Sequence, residues 1–141
     1  MIESFGDMDF LRHSLETGER AIGPCYTLQA ASELAGLTLR EFRRRTNDGD
    51  VLVLVRGKDR VCPAFQFGDG GALLPGLRKV LAALQVEPFT PYACALWLVA
   101  RGGMFGKRNA VELLRAGDLE PVLAAARLNA AWRAEEADGE G

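Results

Sequence analysis

The segment Y26-TLQAASELAGLTLREFRRRTNDG-D50 decides how the first half of the chain folds. Thr27 precedes an apolar stripe of Leu28, Ala31, Leu34 and Ala35, so it reads as the N-cap of a short helix. Gly36 closes that helix, because glycine takes the left-handed conformation without a Cβ penalty. Thr38 caps a second helix in which Leu39 and Phe42 face inward, and Asn47, Asp48 and Gly49 stop it. Small residues, Ala31 and Ser32, lie where the two helices must approach. The pattern is that of a helix-turn-helix.

V51-LVLVRGKDRVCPAFQ-F67 follows. Its first five residues are valine and leucine, strand formers, and RGKD reads as a turn centred on Gly57. RVCPAFQF returns as a second strand, with Pro63 confining its later part to an edge. G68-DGGALLP-G76 reads as a linker. The remainder is helical. Leu77, Val80, Leu81 and Leu84 recur at helical spacing, and Thr90 with Pro91 opens a helix carrying Trp97. Asn109 with Glu112 comes close to a capping box, Gly117 ends that helix, and Asp118 caps the last one. Near the N-terminus a helix is expected with Phe10, Leu11 and Leu15 on one stripe. The expected fold class is mainly α with a small β-hairpin: a winged helix-turn-helix followed by a helical domain. The expected division is an N-terminal extension (1–22), a winged helix-turn-helix module (23–67), a helical domain (68–135) and a frayed acidic tail (136–141).

Bulk composition narrows the function classes. The 141 residues suffice for one compact domain or two very small ones, and 48% are hydrophobic. The net charge of −2 excludes a uniformly basic coat. Between residues 40 and 60, however, seven basic residues face four acidic ones, a local excess of +3. They are Arg40, Arg43, Arg44 and Arg45 on the second helix, and Arg56, Lys58 and Arg60 at the hairpin tip. With Thr38 at the helix start, these are the candidate DNA-binding residues, since a recognition helix needs long donors for base edges and phosphates. A solvated basic helix beside a small hairpin is the plainer alternative.

Catalytic chemistry finds no support. His13 is the single histidine, and Cys25, Cys62 and Cys94 are odd in number and lack a C-x-x-C pairing, so buried reduced thiols are expected and a metal site is not. The loop R101-GGMFGKR-N109 fails as a P-loop: Gly102 to Gly106 is one residue too short, and Arg108 stands where a hydroxyl should follow Lys107. It reads as a helix–helix connection or as a loop that touches a partner. The chain is expected to be a non-enzyme without cofactor. No signal-like start and no apolar run near the ~20 residues of a membrane span leave a cytoplasmic location as the default.

Two resemblances add to this. YTLQAASELAG, TLREFRRR and DGDVLVLVRGKDRV resemble the MerR/excisionase type of winged helix. From PAFQF through LLPGLRKVLAAL, ALWL, GGMFGKRNAVELLRAGD and VLAAAR, the order of motifs resembles the toxin-binding domain of Xre/MbcA/ParS-like antitoxins. Trp97 and Leu98 match the family's tryptophan-leucine helix, Gly106 a loop glycine, Leu113 and Leu114 the middle helix, and Gly117 its end. FGK replaces the usual double glycine and Ala110 the usual proline. The resemblance implies a dimeric antitoxin that binds its own promoter DNA and neutralises a RES-domain, NAD-consuming toxin. It places the partner contacts on Met104, Phe105, Lys107 and Arg108 of the loop and on the last helix, where Arg127 and Trp132 are candidates. The alternative is a stand-alone dimeric winged-helix regulator whose C-terminal half only dimerises.

Overall fold

In the computed structural model, which describes residues 20–84 and 89–140, the chain is mainly helical with one small antiparallel sheet. Strand β1 (Cys25–Thr27) leads into helices α1 (Leu28–Ala35) and α2 (Leu39–Asn47). Strands β2 (Leu54–Arg56) and β3 (Asp59–Pro63) form a hairpin, followed by single 3-10 turns at Ala64–Gln66 and Asp69–Gly71. Helices α3 (Leu77–Leu84), α4 (Pro91–Val99), α5 (Ala110–Arg115) and α6 (Leu119–Glu140) complete the fold. The helix expected around Phe10 to Leu15 lies outside the described residues.

Capping chemistry sets the helix starts. The side-chain oxygens of Thr27, Thr38 and Thr90 each accept from the backbone N–H three residues on, all at 3.1 Å, and Asn109 does the same for Glu112 at 2.9 Å. Gly36 sits at φ +73° and donates to the Glu33 carbonyl, closing α1 as its sequence requires. The glycines of 101–109 make a connection between α4 and α5, with Gly102, Gly103 and Gly106 all at positive φ.

The sheet differs from the expectation in three ways. Its strand order is β1-β3-β2, so β3 is central and Pro63 is not on an edge. Proline is tolerated there because it is the last residue of β3, and the next donor, Ala64 N–H, bonds to the Pro24 carbonyl at 2.9 Å. β1 carries neither alternation nor turn signal; it exists because β3 offers it a ladder from Thr27↔Val61 to Cys25↔Pro63. And Val51 to Val53 are not strand. Their missing ladder is supplied by a side chain: the Gln66 amide accepts from Leu52 N–H and donates to Leu52 C=O, both at 2.9 Å. Gln66 is fully buried.

The hairpin and its lead-in separate two hydrophobic clusters. Leu52, Leu54 and Val61 point to one side, where Ile22 and the apolar faces of α3 to α6 meet them. Val51 and Cys62 point to the other, where they join Ala31, Phe42 and Phe67 under α1 and α2. Alternate residues of one extended segment thus serve different cores, as the two-residue period of an extended chain dictates. The stretch 68–76, expected as a linker, is a tight folded turn: Leu74 N–H bonds to Gln66 C=O at 2.9 Å, and Gly71 is buried against α1. A Cβ on Gly71 would land on the Leu34 carbonyl oxygen. Helix α6 runs on through the stretch expected to fray, to Glu140.

Gln66→Leu leaves both Leu52 backbone groups buried and unpaired, and should cost about 3 kcal/mol in urea denaturation; a loss below about 1 kcal/mol would mean that water takes over both bonds. Gly70 and Gly71 both have positive φ, but only Gly71 meets backbone. Gly71→Ala should therefore lose at least about 2 kcal/mol more than Gly70→Ala, and equal losses would contradict the close approach.

Candidate functional site

Helix α2 buries Phe42 and presents its opposite side to solvent. Helical periodicity puts Arg40, Arg43, Arg44 and Asn47 on that outward stripe, while Arg45 lies on the flank beside Glu41. All four arginines are exposed, and among the described residues the ion pairs fall elsewhere, at Arg78–Asp50 and Arg101–Glu112. The Thr38 hydroxyl is occupied as the cap of this helix. Its role is to orient α2; its position at the helix start keeps it next to whatever the N-terminal turn touches.

The hairpin tip is a two-residue turn in which Gly57 takes φ +66° and Lys58 stays at negative φ, the pattern of a type II′ turn. Val55 pairs with Arg60 and Arg56 with Asp59. Alternation from Val51, Val53 and Cys62 places Val55 and Arg60 on the face of the hairpin that looks toward α2, whereas Arg56 continues the face of Leu54. Two of the three tip cations, Lys58 in the turn and Arg60, therefore accompany the α2 stripe. The sequence reading did not single out Val55, 75% exposed, and took Asn47 only as part of the helix stop, whereas it is the last residue of α2. Counting alternate residues outward from Val51 would have found the first, and continuing the Arg40–Arg43–Arg44 spacing the second.

The candidate partner residues divide. Phe105 packs edge-on against Trp97, with ring centroids 5.7 Å apart. These two, with Gly102 and Gly103, form one wall of an apolar groove of about 190 Å³. The other wall is the stripe Ala125, Leu128, Asn129 and Trp132 of α6, and Trp132 is 59% exposed. Arg127 does not join this groove; it lies on another face of α6 with Lys79 and Glu120. Lys107 and Arg108 are exposed on the loop, and the side chain of Met104 lies outside the described residues. Arg133 fixes the groove wall in place: it donates to Asn129 Oδ1 at 2.7 Å and to the Leu84 carbonyl at 2.8 Å, and its guanidinium lies 4.0 Å from the Phe89 ring centroid.

Glu112 does not complete a capping box. It pairs instead with Arg101, and the hydrogen bond from that guanidinium holds its carboxyl below the usual glutamate range, with Arg108 and Arg115 adding to the effect. Arg101 also donates to the Lys107 carbonyl at 3.0 Å, so one side chain ties the end of α4, the loop and α5 together. Cys62 and Cys94 are buried thiols, and burial pushes both up to about 11.

Neither a family model nor a curated protein sequence matches the chain. Among solved structures, the NMR structure of Rv2175c is similar, with a TM-score of 0.63 and 21% identity over 76% of this chain and 81% of that one. The class defined by fold is thus a mainly helical protein with a three-stranded antiparallel sheet, shared with Rv2175c.

The lowered Glu112 carboxyl gives a signed pH dependence. Its contribution to stability is fully present above the ordinary glutamate value near about 4.3 and is lost as pH falls through its own lower value. Glu112→Gln should therefore flatten the acid side of a Tm-versus-pH series relative to wild type; superimposable acid limbs would show that the pair contributes nothing.

Proposed function

We propose that this protein is a DNA-binding antitoxin. Its winged helix-turn-helix comprises α1, α2 and the β2–β3 hairpin, and its helical C-terminal domain holds a RES-type, NAD-consuming toxin. The observation that carries the DNA half is the outward stripe of Arg40, Arg43, Arg44 and Asn47, with Lys58 and Arg60 on the neighbouring hairpin. Cations held on a rigid helix, without intramolecular partners among the described residues, are available to phosphates and guanine edges; the terminal Asn suits an adenine edge. A local basic face on a chain of net charge −2 restricts the contact to one orientation. The toxin half rests on the motif order from PAFQF to VLAAAR, with the 101–109 loop and α6 as the surfaces offered. A stand-alone regulator is the second reading, favoured by Lys107 and Ala110 where the antitoxin loop carries glycine and proline.

Affinity purification of the tagged protein from its native cells separates the two. A stoichiometric partner that consumes NAD when freed and is silent when bound supports the antitoxin; recovery of the chain with DNA alone supports the regulator. In a salt series on its own upstream DNA, Arg43→Ala with Arg44→Ala should reduce the slope of log K against log salt by about 2, while Arg127→Ala leaves it unchanged. An unaltered slope would remove both arginines from the phosphate contacts.

A further inference from the structure

We propose that the apolar groove between the 102–105 turn and α6 is covered by this chain's own N-terminal segment, residues 8–19, laying Met8, Leu11 and Leu15 against Leu128 and Trp132. The inference rests on the groove and on the point where the described chain begins. It stands apart from the DNA and toxin readings.

The groove suits a chain segment better than a small ligand. Its volume, about 190 Å³, lies below the range of roughly 300–1,000 Å³ usual for such ligands. Ala125, 4% exposed, closes its floor, while Leu128 and Trp132 stand up along one side at 37% and 59%. Trp97 and Phe105, half-buried, form the other side. Asn129, the one polar side chain in it, already gives its Oδ1 to Arg133. An apolar strip of this form takes one face of an amphipathic helix, read as anchors at i, i+3 and i+7.

The described chain begins beside this groove. Arg20, Ala21 and Ile22 are helical, and Ile22 is fixed in the core at 3% exposure. Ala21 and Ile22 line a cleft with Val99 and Ala100, and Ala100 also lines the groove. Between the two lie only Ala100, Gly102 and Gly103, exposed and without a large side chain; a Cβ on either glycine would meet nothing within 4 Å. Counting back from Ile22 at 100° per residue, Gly18, Leu15, Leu11 and Met8 all fall on the face of Ile22. Gly18 then comes where the closest approach to Ala100 is needed, and the anchors follow. A helical course carries Leu15 about 10 Å and Met8 about 21 Å from Ile22, enough to pass the roughly 10–12 Å width of α4.

Charge agrees with this occupant. Residues 1–19 hold five acids, Glu3, Asp7, Asp9, Glu16 and Glu19, against the single basic Arg12. The loop beside the groove presents exposed Lys107 and Arg108. The other acidic end of the chain, 133–141, has no large apolar residue to offer.

Both tryptophans of the chain line this groove, so intrinsic fluorescence reports on its cover. Replacing Met8, Leu11 and Leu15 together by serine should shift the emission to longer wavelength and raise quenching by acrylamide. Val55→Ser, on the hairpin, should change neither. A nitroxide on His13→Cys, in a Cys25→Ser background, should broaden the amide signals of 100–106 and 128–132. Amide spectra of each variant establish that the described core is kept. Mixing spin-labelled chains with isotope-labelled, untagged ones should leave the untagged signals sharp. Unchanged fluorescence in the serine variant, or broadening that stops short of α6, would overturn the inference. Broadening carried between chains in the mixture would overturn it too, and would give the groove to a second copy.

Discussion

The paired hydrogen bonds between the Gln66 amide and the backbone of Leu52 hold the rest of the structure in register. Segment 51–53 has no strand beside it, yet it must stay extended so that Val51 enters one core and Leu52 the other. A slip by one residue would exchange the two faces and empty both cores at once. A carboxamide reproduces the donor and acceptor of a peptide group, so one side chain can stand in for a strand. Because it is fully buried, water does not compete with it.

That wall also explains why the two candidate surfaces are not separate bodies. The α1–α2 layer rests on one face of the hairpin and the helices α3 to α6 on the other. Gly71 against Leu34, and Arg78 on Asp50 at 3.1 Å, tie the turn 68–76 and α3 back to the first layer. The direction of α2 relative to α6 is then set by packed side chains rather than by a linker.

What was legible in the sequence was what local chemistry decides. The caps at Thr27, Thr38, Thr90 and Asn109, the stop at Gly36 and the stripe Leu77–Val80–Leu81–Leu84 all rest on contacts within a few residues, and the structure has them. The features that escaped are long-range. β1 is visible only from β3, Gln66 only from Leu52, and the folded state of 68–76 only from the buried contact at Gly71. Glu112 looked like a capping residue because its spacing from Asn109 is right; a guanidinium from α4's end outcompetes the backbone for it. At the sites, the cations were readable as charge, but their division into an outward stripe, a flank and a hairpin face needed the burial of Phe42 and the strand register. Arg127 shows the same limit from the other side, being near Trp132 in sequence yet on another face.

The composition of the smaller core has a consequence for synthesis. Helices α1 and α2 have eight and nine residues, too short to persist alone in water. The residues that cover Phe42 and Ala31 from below, Val51, Cys62 and Phe67, all leave the ribosome after them. β1 emerges well before its ladder partner and waits for β3. A nascent chain therefore carries its arginine-rich segment as an unsupported, fluctuating peptide until Phe67 and Gln66 are out, and the basic face acquires a defined shape in one step when the wall closes behind it.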